Sequence, residues 1–169
     1  MKNMLRSMQN AAGKICEVAL PIRLSYVKGN GKTLAVCTLS DMNLLEEIIS
    51  RKDVMHKIFL AGRLLSENRG IDYILETIYN SPQMRYLILC GTDAKGHLPG
   101  QALVSLYNHG ISEGGDIVGA RGRNPRLKST KEAISHFRTN IEIVDLIGSS
   151  DILQLKLQID RLALNDSID

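Results

Sequence analysis

The 169-residue chain is 44% hydrophobic and 23% charged, proportions that suit one soluble globular domain with a real core. Its formal net charge of +3 is small, its basic residues are massed only at Arg121, Arg123, Arg126 and Lys128, and aromatics make up 4% with no Trp, so stacking on nucleic acid has little support. No run approaches the roughly 20 apolar residues of a membrane span, and Lys2, Arg6 and Lys14 interrupt any signal-like N-terminus, which predicts a cytoplasmic protein.

Residues 1–25 lack sustained periodicity and read as an N-terminal arm or helix, leaving 26–169 as a single domain. Leu34 to Leu39 predicts a strand, and Leu44, Leu45, Ile48 and Ile49 recur at helical spacing over 41–51. A second strand is predicted over Ile58 to Gly62. Ser66 then offers an N-cap for a helix that carries Ile71, Ile74, Leu75 and Ile78 and stops near Asn80-Ser-Pro82. Tyr86 to Cys90 predicts a strand, and Pro99 and Gly110 bracket a helix. Asp116 to Ala120 reads as a short strand, 130–140 as a helix, 141–147 as a β-branched strand, and a last helix starts near Ser150. Its Ile152, Leu155, Ile159 and Leu162 suit packing on the sheet or a coiled-coil seam. The alternation predicts an α/β, Rossmann-like fold: a mainly parallel sheet with helices on both faces.

Several familiar motifs are absent. Gly29-Asn-Gly31-Lys32-Thr33 resembles the end of a phosphate-binding loop, but Tyr26 stands where its first glycine belongs and a strand follows, so a β-turn between extended segments is expected. There is no GxGxxG fingerprint, Ser105 and Ser112 lack the setting of a nucleophile elbow, and no helix carries paired histidines at metal-protease spacing. Cys16, Cys37 and Cys90 are odd in number and set among apolar residues, as buried thiols are. His56, His109 and His136 lie on helices or at their ends and read as solvated.

His97 differs. It stands at the crest between the predicted strand 86–90 and the predicted helix from Pro99, flanked by Gly96 and Gly100, in the region where open α/β sheets bind ligands. It is a candidate ligand or catalytic residue, or else a helix cap. His97-Leu-Pro-Gly100 is half of the DxHxxG motif that ligates cobalt in many corrinoid enzymes, but Lys95 replaces the aspartate that would bond the other imidazole nitrogen. Glu67 is the natural substitute, since adjacent parallel strands would bring their crest loops together; read locally, it is an acid favouring a helix N-terminus.

The segments Ser66-Glu-Asn-Arg-Gly-Ile-Asp72, Ser81 to Gly91, Gly96-His-Leu-Pro-Gly-Gln-Ala-Leu103, Ile117-Val-Gly-Ala-Arg-Gly122 and Ile141 to Ile147 together resemble the corrinoid-binding A subunit of the methanogen tetrahydromethanopterin:coenzyme M methyltransferase. The resemblance implies a cobalamin-type corrinoid whose cobalt(I) accepts a methyl group and passes it to a thiol, and a methyltransferase catalytic subunit for its partner. It implies His97 as the lower cobalt ligand, Glu67 as its hydrogen-bonding partner, and Ser66, Asn68, Gly91, Gly100, Gln101, Ala120 and Gly122 around the cofactor. A storage or sensor module that binds corrinoid without methyl transfer, and an interaction protein without cofactor, are the alternatives. Two features depart from the family: Arg123 to Lys128 is basic where relatives are apolar and acidic, and the sequence ends at Asp169 without their membrane anchor, which predicts a soluble homologue.

Overall fold

A computed structural model describes residues 26–165, so the expected N-terminal arm, Cys16 included, lies outside the described residues. In chain order the described elements are β1 (Tyr26–Lys28), β2 (Leu34–Cys37), α1 (Met42–Ser50), α2 (Lys52–Met55), β3 (Leu60–Gly62), α3 (Arg69–Tyr79), β4 (Tyr86–Gly91), α4 (Pro99–His109), α5 (Lys131–Asn140), β5 (Glu142–Ile147) and α6 (Ile152–Asn165). The strands form one sheet in the order β1-β3-β2-β4-β5. β3, β2, β4 and β5 run parallel and β1 is antiparallel at the edge, giving a mixed, mostly parallel Rossmann-like α/β fold.

Alternation along the central strands distributes the helices. Ala35 and Cys37 of β2 and Leu87 and Leu89 of β4 face a core with Ile71, Leu75 and Ile78 of α3, Leu103 and Leu106 of α4, and Phe137 of α5. Leu34 and Val36, with Ile88 and Cys90, face the opposite core with Leu44, Leu45 and Ile48 of α1 and Leu155, Ile159 and Leu162 of α6. Thus α3, α4 and α5 cover one face, and α1 and α6 the other. The C-terminal helix packs on its own sheet through the apolar stripe that also suited a coiled coil.

Four local readings are corrected. Asp116 to Ala120 joins no strand of the sheet; it makes isolated antiparallel bridges, Ile111 with Ile117 and Asp116 with Arg126. The place beside β4 is taken by β5, whose pairing runs the full length from Tyr86–Glu142 to Gly91–Ile147. The N-cap of α3 is Asn68, whose side chain accepts from the Arg69 N–H, while Ser66 Oγ accepts from the Gly70 N–H at 2.9 Å. The predicted strand 34–39 closes at Cys37, because Leu39 turns to φ 53 beyond Thr38. Finally β3 and β4 are not neighbours, because β2 lies between them.

β1 escaped the sequence reading because its three residues are exposed and carry no apolar alternation. Its pairing comes from β3, Tyr26 opposite Gly62 and Lys28 opposite Leu60. The loop after it docks on the segment before β3: Gly29, Asn30 and Gly31 donate their N–H groups to the carbonyls of Phe59, Met55 and Ile58. A side chain at Gly29 or Gly31 would collide with the Ile58 or Lys57 carbonyl, so these glycines serve close backbone approach rather than phosphate binding.

Candidate functional site

Topology decides which crest loops meet. β2 leads into α1 on one face, whereas β3 and β4 both lead into helices on the other face, α3 and α4. The loops after β3 and β4 therefore bend the same way and converge past the carboxyl end of β2. In doubly wound sheets this is the end at which ligands bind.

At that convergence Glu67 Oε2 stands 2.8 Å from His97 Nδ1. The carboxylate is buried, with 1% of its side chain exposed, and the imidazole is open, with 50% exposed. Glu67 Oε1 accepts the backbone N–H of Asn124 at 2.8 Å, so both buried oxygens are satisfied. With a carboxylate as acceptor, the Nδ1 proton is the one donated, so in the neutral ring the lone pair lies on Nε2. Among the described residues Nε2 makes no hydrogen bond.

The floor is built from close approaches. Gly122 packs where a Cβ would collide with the His97 carbonyl oxygen and stand 2.8 Å from Glu67 Cγ. Gln101 secures the same segment from the α4 side: Nε2 donates to Ser105 Oγ at 2.7 Å and the Gly119 carbonyl at 3.0 Å, and Oε1 accepts from the Arg121 N–H at 2.8 Å. The chain from Gly119 to Asn124 is thereby pinned at both ends. Ala120 is half-buried within it, against the core under α4.

Gly91 and Gly100 serve the crest from beneath. Gly91 has φ +74, and a Cβ there would stand 2.5 Å from the Thr38 carbonyl oxygen and 2.8 Å from Asp41 Cβ. Gly100 is buried where a Cβ would stand 2.9 Å from both Leu39 methyls. Ser66 and Asn68 are occupied at the start of α3, as described above, and place Glu67 between them.

Asp93, which sequence reasoning passed over, shapes the His97 loop. Its Oδ1 accepts from the Ala94 and Gly100 N–H groups at 3.0 Å each, and its Oδ2 from the Gln101 N–H at 2.9 Å. These bonds satisfy otherwise unpaired donors at the start of α4 and favour its macrodipole. The signal was an acid six residues ahead of Pro99, too far for ordinary N-cap spacing. Leu98, directly after His97, carries φ 45 and ψ 50, a left-handed conformation unfavourable by about 1 kcal/mol for a residue with a Cβ.

The remaining candidates separate from this centre. Lys95 is exposed and takes no part in the Glu67–His97 pair. His56 lies near Asn30, and His136 bonds Asn140 and meets the Tyr79 ring edge-on. Among the described residues no group of three His, Cys, Asp or Glu could hold a metal ion. An apolar cleft lined by Tyr26, Tyr73, Ile74 and Leu87 opens by the sheet's antiparallel edge and contains none of the candidate residues.

The family model for the A subunit of tetrahydromethanopterin S-methyltransferase matches residues 21–168. The chain is 37% identical over 130 residues to the tetrahydromethanopterin S-methyltransferase A subunit of Methanocaldococcus jannaschii, covering 75% of this chain and 52% of that protein. It is 33% identical over 110 residues to the A 2 subunit of the same enzyme from Methanothermobacter thermautotrophicus, covering 64% of this chain and 60% of that protein. It thus spans about half to three-fifths of the length of these relatives, and among the described residues no helix is long and apolar enough to cross a membrane. With a family match over most of its length and an α/β fold to carry it, the chain belongs to the family of tetrahydromethanopterin S-methyltransferase A subunits.

Proposed function

We propose that this domain is a cytoplasmic corrinoid-binding methyl carrier that works with a separate methyltransferase subunit. The observation that supports this reading best is the exposed imidazole of His97 tied through Nδ1 to the buried carboxylate of Glu67. Metal-ligating histidines are ordinarily oriented in this way by a carboxylate behind them. A corrinoid would bring its own ligands to cobalt, so that a single imidazole, His97, is what the chain would have to supply.

The bound cobalt would supply the centre that takes a methyl group from a methyl-tetrahydromethanopterin-type donor and yields it to a thiol. The chain's own residues hold and orient. Glu67 keeps the His97 ring in one tautomer, with the Nε2 lone pair outward. Gly122 lets the 119–124 segment lie against the His97 backbone, and Gln101 and Asp93 fasten that segment and the start of α4 to the crest. Without a side-chain nucleophile in the pair, the protein's part is to position the cofactor between partner active sites.

The test is to mix the purified protein with hydroxocobalamin, record the visible spectrum, and then reduce the bound cobalt with a mild one-electron reductant to cobalt(II) for electron paramagnetic resonance. Base-off, histidine-on cobalt in the wild type that disappears in His97→Ala supports a corrinoid ligand at this position. Absence of binding at micromolar protein would leave the Rossmann-like interaction protein. Methyl transfer from a methyl-tetrahydropterin to the bound corrinoid, in the presence of a methyltransferase subunit, separates the carrier from a storage or sensor module.

A further inference from the structure

Arg123 brings its guanidinium to the His97 loop, and Arg121 lies two residues before it on the same segment; neither has a use so far. Arg121 and Arg123 flank Gly122, the residue pressed against the His97 carbonyl and Glu67. Their backbone is held on both sides, by Gln101 Oε1 on the Arg121 N–H and by Glu67 Oε1 on the Asn124 N–H, each at 2.8 Å. The Arg123 guanidinium lies over Gly96, where a Cβ would stand 3.3 Å from Nη2 and 3.5 Å from Nε. It thus covers the residue directly before His97.

Both arginines are exposed, and among the described residues neither is ion-paired or hydrogen-bonded through its side chain. Nearby Arg126 shows the contrast, because its Nε and Nη2 each meet an Asp116 carboxylate oxygen at 3.2 Å. Two arginines with unpaired side chains on a pinned three-residue segment, one with its guanidinium over the residue before an open imidazole, offer an edge suited to anions. Their forks match the non-bridging oxygens of a phosphodiester.

The corrinoid reading supplies such an anion. A cobalamin carries a nucleotide tail tethered to the lower side of its ring, and the base of that tail gives up its place when a protein imidazole takes the lower position. A tail displaced in this way would leave its phosphodiester to be held by cationic side chains of the protein. We propose that Arg121 and Arg123 bind this phosphodiester, and so make the site selective for complete corrinoids over those lacking the nucleotide. The inference rests on the corrinoid reading of His97.

The experiment compares hydroxocobalamin with diaquocobinamide, which has the corrin but no nucleotide tail, in wild type, Arg121→Gln, Arg123→Gln and the double variant. Affinities are read from visible titrations at two ionic strengths, with circular dichroism melting to verify folding. Arg123→Gln should weaken cobalamin binding by about tenfold, the scale of one lost charge-assisted contact, and the double variant by more. Cobinamide affinity should stay within about twofold of wild type, and only the cobalamin complex should weaken strongly with salt. Equal losses for both corrinoids, or none, in folded variants overturn the arginine assignment while the His97 reading stands. A wild type that binds neither corrinoid removes both.

Discussion

Glu67 and His97 lie 2.8 Å apart although the strands that lead to them, β3 and β4, are separated by β2. Their meeting follows from the helices, since α3 and α4 cover the same face while α1 leaves β2 for the other. Because Glu67 also holds the Asn124 N–H, one buried side chain joins three segments distant in sequence. Glu67→Ala would leave two donors without a buried acceptor, and should destabilise the fold by about 1–3 kcal/mol in urea unfolding. Glu67→Gln keeps the volume and an acceptor for Asn124 but presents an amide to Nδ1, so nitrogen-15 NMR should show His97 shifted away from its Nδ1–H tautomer. An unchanged His97 tautomer in Glu67→Gln would refute the orienting role.

Gly122→Ala places a methyl group into the His97 carbonyl and within 2.8 Å of Glu67 Cγ. The segment must move away, at a cost of about 1–3 kcal/mol for overpacking, and corrinoid affinity should fall with it. Gly114→Ala is the control, since a Cβ there meets nothing closer than 3.5 Å. Similar melting curves for the two variants would show that Gly122 is not a required close approach.

Asp41 ties the start of α1 to the loop before α6. Its Oδ1 caps α1 by accepting from the Leu44 N–H at 3.0 Å, and Ser150 Oγ donates to its Oδ2 at 2.6 Å. The Ser150 hydroxyl first, and the Leu44 N–H second, hold its carboxyl below the usual aspartate range. A depressed folded value means that this contribution is present above the unfolded value near pH 4 and lost as pH falls through the folded one. Urea titrations from pH 7 to 2.5 should show a shallower acid loss in Asp41→Asn. Asp41→Ala should cost about 1 kcal/mol at neutral pH through the lost cap. An acid slope in Asp41→Asn equal to wild type would count against the linkage.

Cys37 and Cys90 are both buried and free. Burial pushes the Cys37 thiol up to about 12, and burial, with the neighbouring Cys37, raises Cys90 as well. Both stay protonated at pH 8, so iodoacetamide should label neither until urea unfolds the chain, as peptide mass mapping will show. Since the unfolded thiols ionise near pH 8.5 to 9 and the folded ones do not, stability should decline as pH rises beyond that range. Native labelling of either thiol at pH 8 would contradict this burial.

The reach of the sequence can be read at particular residues. Apolar alternation in β2 and β4 and helical spacing in α1, α3 and α6 are local patterns set by two repeat lengths, so those elements were legible. β1 was not, because its exposed Tyr-Val-Lys pairs only by virtue of β3. The 116–120 run has a strand's composition, yet β5 occupies the edge it would need. His97 stood out by its glycine-flanked crest, whereas the capping by Asp93 reaches seven and eight residues along the chain, beyond any short capping rule.

By itself the sequence determined the kinds of element, their order, the two-faced apolar pattern and the family to which the chain belongs, because these depend on neighbours a few residues away or on linked motifs. The linked motifs also named Glu67 as the partner of His97, but tertiary structure alone decided that it arrives across the end of β2, and that the backbone of Arg121 and Arg123 is held beside the pair by Gln101 and Glu67. The physical reason is topological. Strand order and the choice of face for each helix bring these loops together across 30 to 57 residues of chain, a separation that no local periodicity encodes.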